Sequence, residues 1–161
     1  MTAAGLSGAV VVLLRHGEAV SETVDPARPL SKRGRRETER IARWAAAAGL
    51  RVSEIRHSGK RRAAETAEIM ARELKPPGGV IAVEGLHPDD DIVPVARELE
   101  RVDQPVLLVG HLPFLGRLAA HLLTDHAGQP RVAFPPSGLA ALAREGERWT
   151  LLAVVSPDSL D

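Results

Sequence analysis

A chain of 161 residues, 44% hydrophobic and 26% charged, has the size and composition of one globular domain, which excludes a disordered or fibrous class. With no cysteine it has no disulfides, thiol nucleophiles or thiolate metal sites, and no apolar run reaches the roughly 18–20 residues of a membrane span. The formal net charge is zero, but residues 28–62 hold twelve Lys and Arg against three Asp and Glu, and residues 84–100 hold six acidic groups against one basic.

The bland reading of that asymmetry is a pair of solvated faces. The functional reading is a basic rim that attracts a phosphorylated partner. Nucleic acid is disfavoured, because two Phe, two Trp and no Tyr leave few rings for base stacking.

Residues 1–8 read as a short disordered leader. The apolar run behind them ends in Arg-His and has no basic stretch ahead of it, unlike a signal peptide, so a cytoplasmic chain is expected. "AVVVLL" (9–14) is a continuous β-branched and aliphatic run, as in a strand buried on both faces. Arg15, His16 and Gly17 follow it directly. Helical spacing of Ile41, Trp44, Ala45 and Ala48 marks a helix over 31–49, with Ser31 as N-cap and Gly49 just past its end. A short strand at 51–58 leads into a helix at 60–74, whose apolar stripe is Ala63, Ala67, Met70, Ala71 and Leu74.

"VIAVEGL" (80–86) reads as a strand and "HPDDD" as a loop, and Ile92, Val95, Ala96 and Leu99 mark a further helix. "PVLLVGH" (105–111) is a second buried strand, and the helix after it (113–123) has Pro113 in its first turn. The stretch 124–138 carries no assignment, and two strands joined by "EGER" close the chain before a tail at 156–161. Strands alternating with helices imply a three-layer α/β/α fold: one domain over 1–161, with a mostly parallel sheet and one antiparallel strand.

In such sheets ligands bind beyond the carboxyl ends of the strands. That rule gathers Arg15, His16, Gly17, Ser58, Arg62, Glu84, His87 and His111 at one edge. Two guanidinium forks and two imidazoles suit a tetrahedral dianion, and a neutral imidazole is a nucleophile able to carry a phosphoryl group. Metal is the competing chemistry for His16, His57, His87 and His111. No H-x-x-x-H or H-x-x-E spacing supports it, and adjacent arginines repel a cation, so neither metal nor other cofactor is expected.

Four stretches carry a resemblance. "LLRHGEA", "RPLSKRG" (28–34), "SGKRRAAET" (58–66) and "VGHLPFLG" (109–116) fall in the order of the histidine phosphatase superfamily, with its phosphoglycerate mutase-like fold. The short chain and "DPARPLS" resemble its SixA-type phosphohistidine phosphatases. The resemblance implies a phosphatase with His16 as nucleophile, Arg15 and Arg62 clamping phosphoryl oxygens, and His111 as a further donor. Register against S-x-x-x-R-A selects Arg62 over Lys60 and Arg61 and puts Thr66 one turn on.

Arg28 and Ser31 read as a turn and a cap, and His121 and His126 as surface histidines. Ser58 either caps its helix or touches phosphate. His57, where the family places the residue before its serine, either lines the pocket or lies on the surface. Glu84, Asp89, Asp90 and Asp91 are candidates by location for an acid that protonates the leaving group. The chain is too short for a large insertion roofing the site. An unroofed site suits a phosphorylated protein such as a histidine phosphotransfer domain, with a small phosphorylated metabolite or a non-catalytic phospho-binding module as alternatives. A monomer is slightly favoured over an oligomer.

Overall fold

In a computed structural model that describes residues 5–124 and 132–161, the elements are β1 (Val11–Arg15), α1 (Lys32–Ala47), β2 (Glu54–His57), α2 (Arg61–Leu74), β3 (Val80–Ala82), α3 (Val93–Leu99), β4 (Val106–Gly110), α4 (Phe114–Leu122), β5 (Leu139–Glu145) and β6 (Arg148–Val155), followed by a 3-10 turn at Pro157–Leu160. The six strands form one sheet in the order β3-β2-β4-β1-β5-β6. β3, β2, β4 and β1 pair in parallel; β5 runs antiparallel to β1, and β6 antiparallel to β5. One strand, β5, therefore opposes the rest.

The central strands have no polar face because helices cover both sides. Val12 and Leu14 of β1 and Leu107 and Val109 of β4 point into a core shared with Ile41, Ala45, Ala67 and Met70 of α1 and α2. Val11, Leu13, Val106 and Leu108 point the other way, against Val95, Leu99, Leu115 and Leu118 of α3 and α4. Each fully buried aliphatic side chain stabilises the fold by roughly 1.5–3 kcal/mol. The predicted α/β/α layering and near-parallel sheet are what the chain adopts.

Differences arise at the ends of elements. Leu6, inside the expected leader, is fully buried, and its N–H donates to the Ala48 carbonyl at 3.2 Å. A single large apolar residue docked beyond the end of α1 ties down residues 5–8, and no periodicity signals it; residues 1–4 of the expected leader lie outside the described residues. The tail likewise docks: Leu160 packs on the core, and Asp161 pairs with Arg40 at 2.6 Å. β2 starts at Glu54 rather than at Arg51, because Ser53 spends its N–H and hydroxyl on the Pro105 carbonyl. β3 stops at Ala82, short of the left-handed Gly85 at φ 92°. Residues 125–131, with His126 and much of the unassigned 124–138 stretch, lie outside the described residues.

Candidate active site

β1 and β4 are neighbours in register, with Arg15 opposite Gly110, so the residues that follow each strand emerge side by side. The His16 N–H donates to the Gly110 carbonyl at 3.0 Å, and the His16 and His111 rings lie 4.9 Å apart, tilted by 55°. Arg62 arrives in the first turn of α2, behind the adjacent strand β2. Residues 46 and 95 positions apart in sequence thus share one edge because parallel strands end on the same side.

The His16 ring is held by its own neighbour. Nδ1 lies 2.8 Å from the Gly17 carbonyl, which only accepts, so Nδ1 carries the proton and Nε2 keeps its lone pair. Burial pushes the His16 pKa down to about 4; the Gly17 hydrogen bond opposes this, and the charges of Arg62, Arg15 and Arg28 add to it. Burial first, then His16 and Arg62, hold His111 at about 3. Both rings are neutral near pH 7.

Gly17 is required by space. A Cβ there would sit 2.7 Å from Thr38 Oγ1 and 3.1 Å from the Gly34 carbonyl. Its N–H donates to Thr66 Oγ1 at 3.0 Å, and Thr66 donates to the Arg62 carbonyl at 2.8 Å, which ties the end of β1 to the start of α2.

Arg15 donates from Nη1 to the Phe134 carbonyl at 2.9 Å. Arg15 Nε, Arg62 Nε and His111 Nδ1 are buried without a hydrogen-bond partner, and among the described residues no other buried side-chain nitrogen or oxygen is in that position. The two arginine Nε–H groups are donors and the imidazole nitrogen is one in its Nδ1–H tautomer; buried polar groups left unpaired are costly, and three gathered at one edge match an oxyanion with several lone pairs. Burial also lowers the pKa of both arginines. Among the described residues no three His, Asp or Glu side chains converge as metal ligands.

The remaining candidates separate. Ser58 is buried, and its hydroxyl lies 2.6 Å from His111 Nε2 while also accepting the Lys60 N–H at 3.3 Å, so it faces the site and does not cap α2, whose N-cap position is Lys60. His57 points to the α2 side, where its Nδ1 accepts the Gly59 N–H at 3.1 Å and Glu68 acts on its charge; it does not meet the two site histidines. Glu84, His87, Asp90 and Asp91 line a cavity of about 590 Å³ that reaches Ser58. Asp89 is not in that lining. Asp90 and Asp91 accept the N–H groups of His87 and Val93, so part of their role is to shape the loop. His121 is exposed.

Ser137 escaped the sequence reading, as did the electrostatic reach of Arg28. Ser137 is fully buried in a left-handed conformation (φ 61°); its N–H meets the Arg15 and His16 carbonyls at 3.2 and 3.3 Å, and its hydroxyl meets Thr38 at 2.9 Å. The "PPSG" turn just before β5 is the one local sign of it. Arg28 does occupy the turn expected of it, at φ 49° with Nε donating to the Val20 carbonyl at 3.1 Å. Its charge nevertheless reaches His16 and Arg62, so it stands as a third cation near the edge.

The chain is similar to the histidine phosphatase superfamily, whose branch 1 model matches residues 11–87. The chain is 28% identical to the phosphohistidine phosphatase SixA of Escherichia coli (strain K12) over 137 residues, 82% of this chain and 83% of that protein. It is similar to a solved structure of the protein histidine phosphatase SixA complexed with tungstate, at a TM-score of 0.84 and 27% identity, covering 94% of this chain and 99% of that one. A mycobacterial glucosyl-3-phosphoglycerate phosphatase with bound VO3 shares the fold at a TM-score of 0.65 and 19% identity, covering 89% of this chain and 97% of that one. The likeness to that family and to SixA supports phosphatase chemistry for this chain.

Proposed function

We propose that the chain removes a phosphoryl group through a covalent intermediate on His16, and that its substrate is phosphohistidine on a protein. The observation that carries the reading is the pairing of a neutral His16 with a lone pair at Nε2 and three unpartnered buried nitrogens beside it. Nε2 attacks phosphorus, the bond from phosphorus to the leaving group breaks, and its electron pair departs with the leaving group. Arg15, Arg62 and His111 hold the non-bridging oxygens as charge builds on them. Water then attacks the phosphorus of phospho-His16, the P–N bond breaks, and phosphate leaves. An imidazole leaving group has less need of a strong acid than an alkoxide does, and Glu84 and Asp91 are exposed carboxylates at this edge.

A protein substrate is supported by the short chain, which has little room for a roof over the edge, and by the name of the SixA relative. The second reading, a small phosphomonoester, is favoured by the shared fold with the glucosyl-3-phosphoglycerate phosphatase.

The test pairs wild type with His16→Ala on a histidine-phosphorylated phosphotransfer protein and on a panel of phosphomonoesters. Loss of protein phosphohistidine in the wild type alone is expected. Turnover of one metabolite with none of the protein would favour the second reading. Mass spectrometry of quenched reactions should find the phosphoryl group on His16, and finding it on His111 would reverse the assigned roles.

A further inference from the structure

We infer that Ser58 is a positioning residue that fixes His111 as the Nδ1–H tautomer, so that His111 meets a phosphoryl oxygen with a donor instead of a lone pair. The inference rests on the reading of this edge as a phosphoryl site. It starts from two side chains that are almost wholly buried, Ser58 at 4% exposure and His111 at 2%, with Oγ and Nε2 2.6 Å apart.

Counting protons decides between the tautomers. Ser58 Oγ already accepts the Lys60 N–H at 3.3 Å. If Nε2 carried the His111 proton, Oγ would accept a second time. The hydroxyl proton would then have no acceptor among the described residues, and Nδ1 would be a buried lone pair with no donor. If Nδ1 carries the proton, Ser58 donates to Nε2 and every group is satisfied except one. That one is the Nδ1–H, a buried donor without a partner. An oxyanion is what it lacks.

The geometry that supports this comes from the sheet. His57 pairs with Val109 in the β2–β4 ladder, so Ser58 and His111 leave adjacent strands at nearly the same level. His87 donates from Nε2 to the Ser58 carbonyl at 3.1 Å and holds that turn from the loop side. The two histidines are thereby set as the same Nδ1–H tautomer but turn opposite nitrogens to the site: the Gly17 carbonyl leaves a lone pair on His16 Nε2, and the Ser58 hydroxyl leaves a proton on His111 Nδ1. One ring attacks and the other donates.

Long-range 1H–15N NMR of the full-length protein at neutral pH reads the tautomer directly, with His111→Gln used only to assign the signals. Wild type is expected to show a protonated Nδ1 and an unprotonated Nε2 at His111. Ser58→Ala is expected to mix the tautomers and weaken vanadate binding about tenfold or more, the scale of one charge-assisted hydrogen bond. Ser58→Thr is expected to restore both. An Nε2–H tautomer in the wild type overturns the inference without any variant. So does Ser58→Ala with an unchanged tautomer and unchanged vanadate affinity. If the tautomer shifts as expected but vanadate binds neither protein, the role of Ser58 stands and the phosphoryl-site reading falls.

Discussion

His16 depends on one hydrogen bond for its tautomer and on burial for its charge. A protonated ring would have no lone pair at Nε2, and its pKa is held at about 4, well below the ordinary 6.5. The acid limb of kcat/KM is therefore expected near pH 4, with activity lost as pH falls through it and no loss near 6.5; a pH–rate profile of the free enzyme checks this. Arg62 illustrates a second requirement of the residue scale. A lysine carries the charge but has no Nε at the branch of a planar fork. Arg62→Lys is expected to lower kcat/KM by about 10²–10³-fold, the scale of losing one preorganised donor, as measured by steady-state kinetics.

Elements matter here through how closely they approach. The start of α1 lies against the backbone that follows His16, because Gly34 has no side chain; a Cβ there would run into the Glu18 backbone. Ser31 reinforces the contact by capping α1 through the Gly34 N–H at 3.0 Å and donating to Glu18 Oε1 at 2.8 Å. Gly34→Ala is expected to cost about 1–3 kcal/mol in urea denaturation, the usual cost of overpacking, and to weaken vanadate binding by shifting Gly17 and His16. Gly116 in α4 is the control, since a Cβ there meets nothing within 4 Å. Gly116→Ala is expected to be stabilising by about 0.4–1 kcal/mol in the same assay. The left-handed Ser137 belongs with these contacts: a strained backbone is kept where its N–H braces Arg15 and His16.

For the whole molecule, the same buried histidines link the site to stability. Both fold with pKa values of about 4 and about 3 against an ordinary 6.5, so the unfolded chain binds more protons than the folded one as pH falls. Their contribution is intact above about pH 6.5 and is lost progressively from there down to about 3. Urea midpoints at pH 7 and pH 4.5 should drop more in the wild type than in His111→Gln, and equal drops would refute the linkage.

By itself the sequence determined the order of the elements, the layering and the edge at which chemistry gathers. Continuous apolar runs in β1 and β4 demand cover on both faces, and parallel strands must end on one side, so Arg15, His16 and His111 are brought together by local pattern and topology alone. What only the tertiary structure decided is the partner of each polar atom. Ser58 could be read as a cap or a ligand until β2 was seen beside β4, with its hydroxyl 2.6 Å from His111. Ser137 and Leu6 carry no periodic signal; one is placed by a turn that closes across 121 residues onto His16, the other by a single apolar docking contact. Periodicity reports which face of an element is buried. Hydrogen-bond partners and tautomers depend on approaches of a few ångströms between segments remote in the chain, and those exist only once the layers have packed.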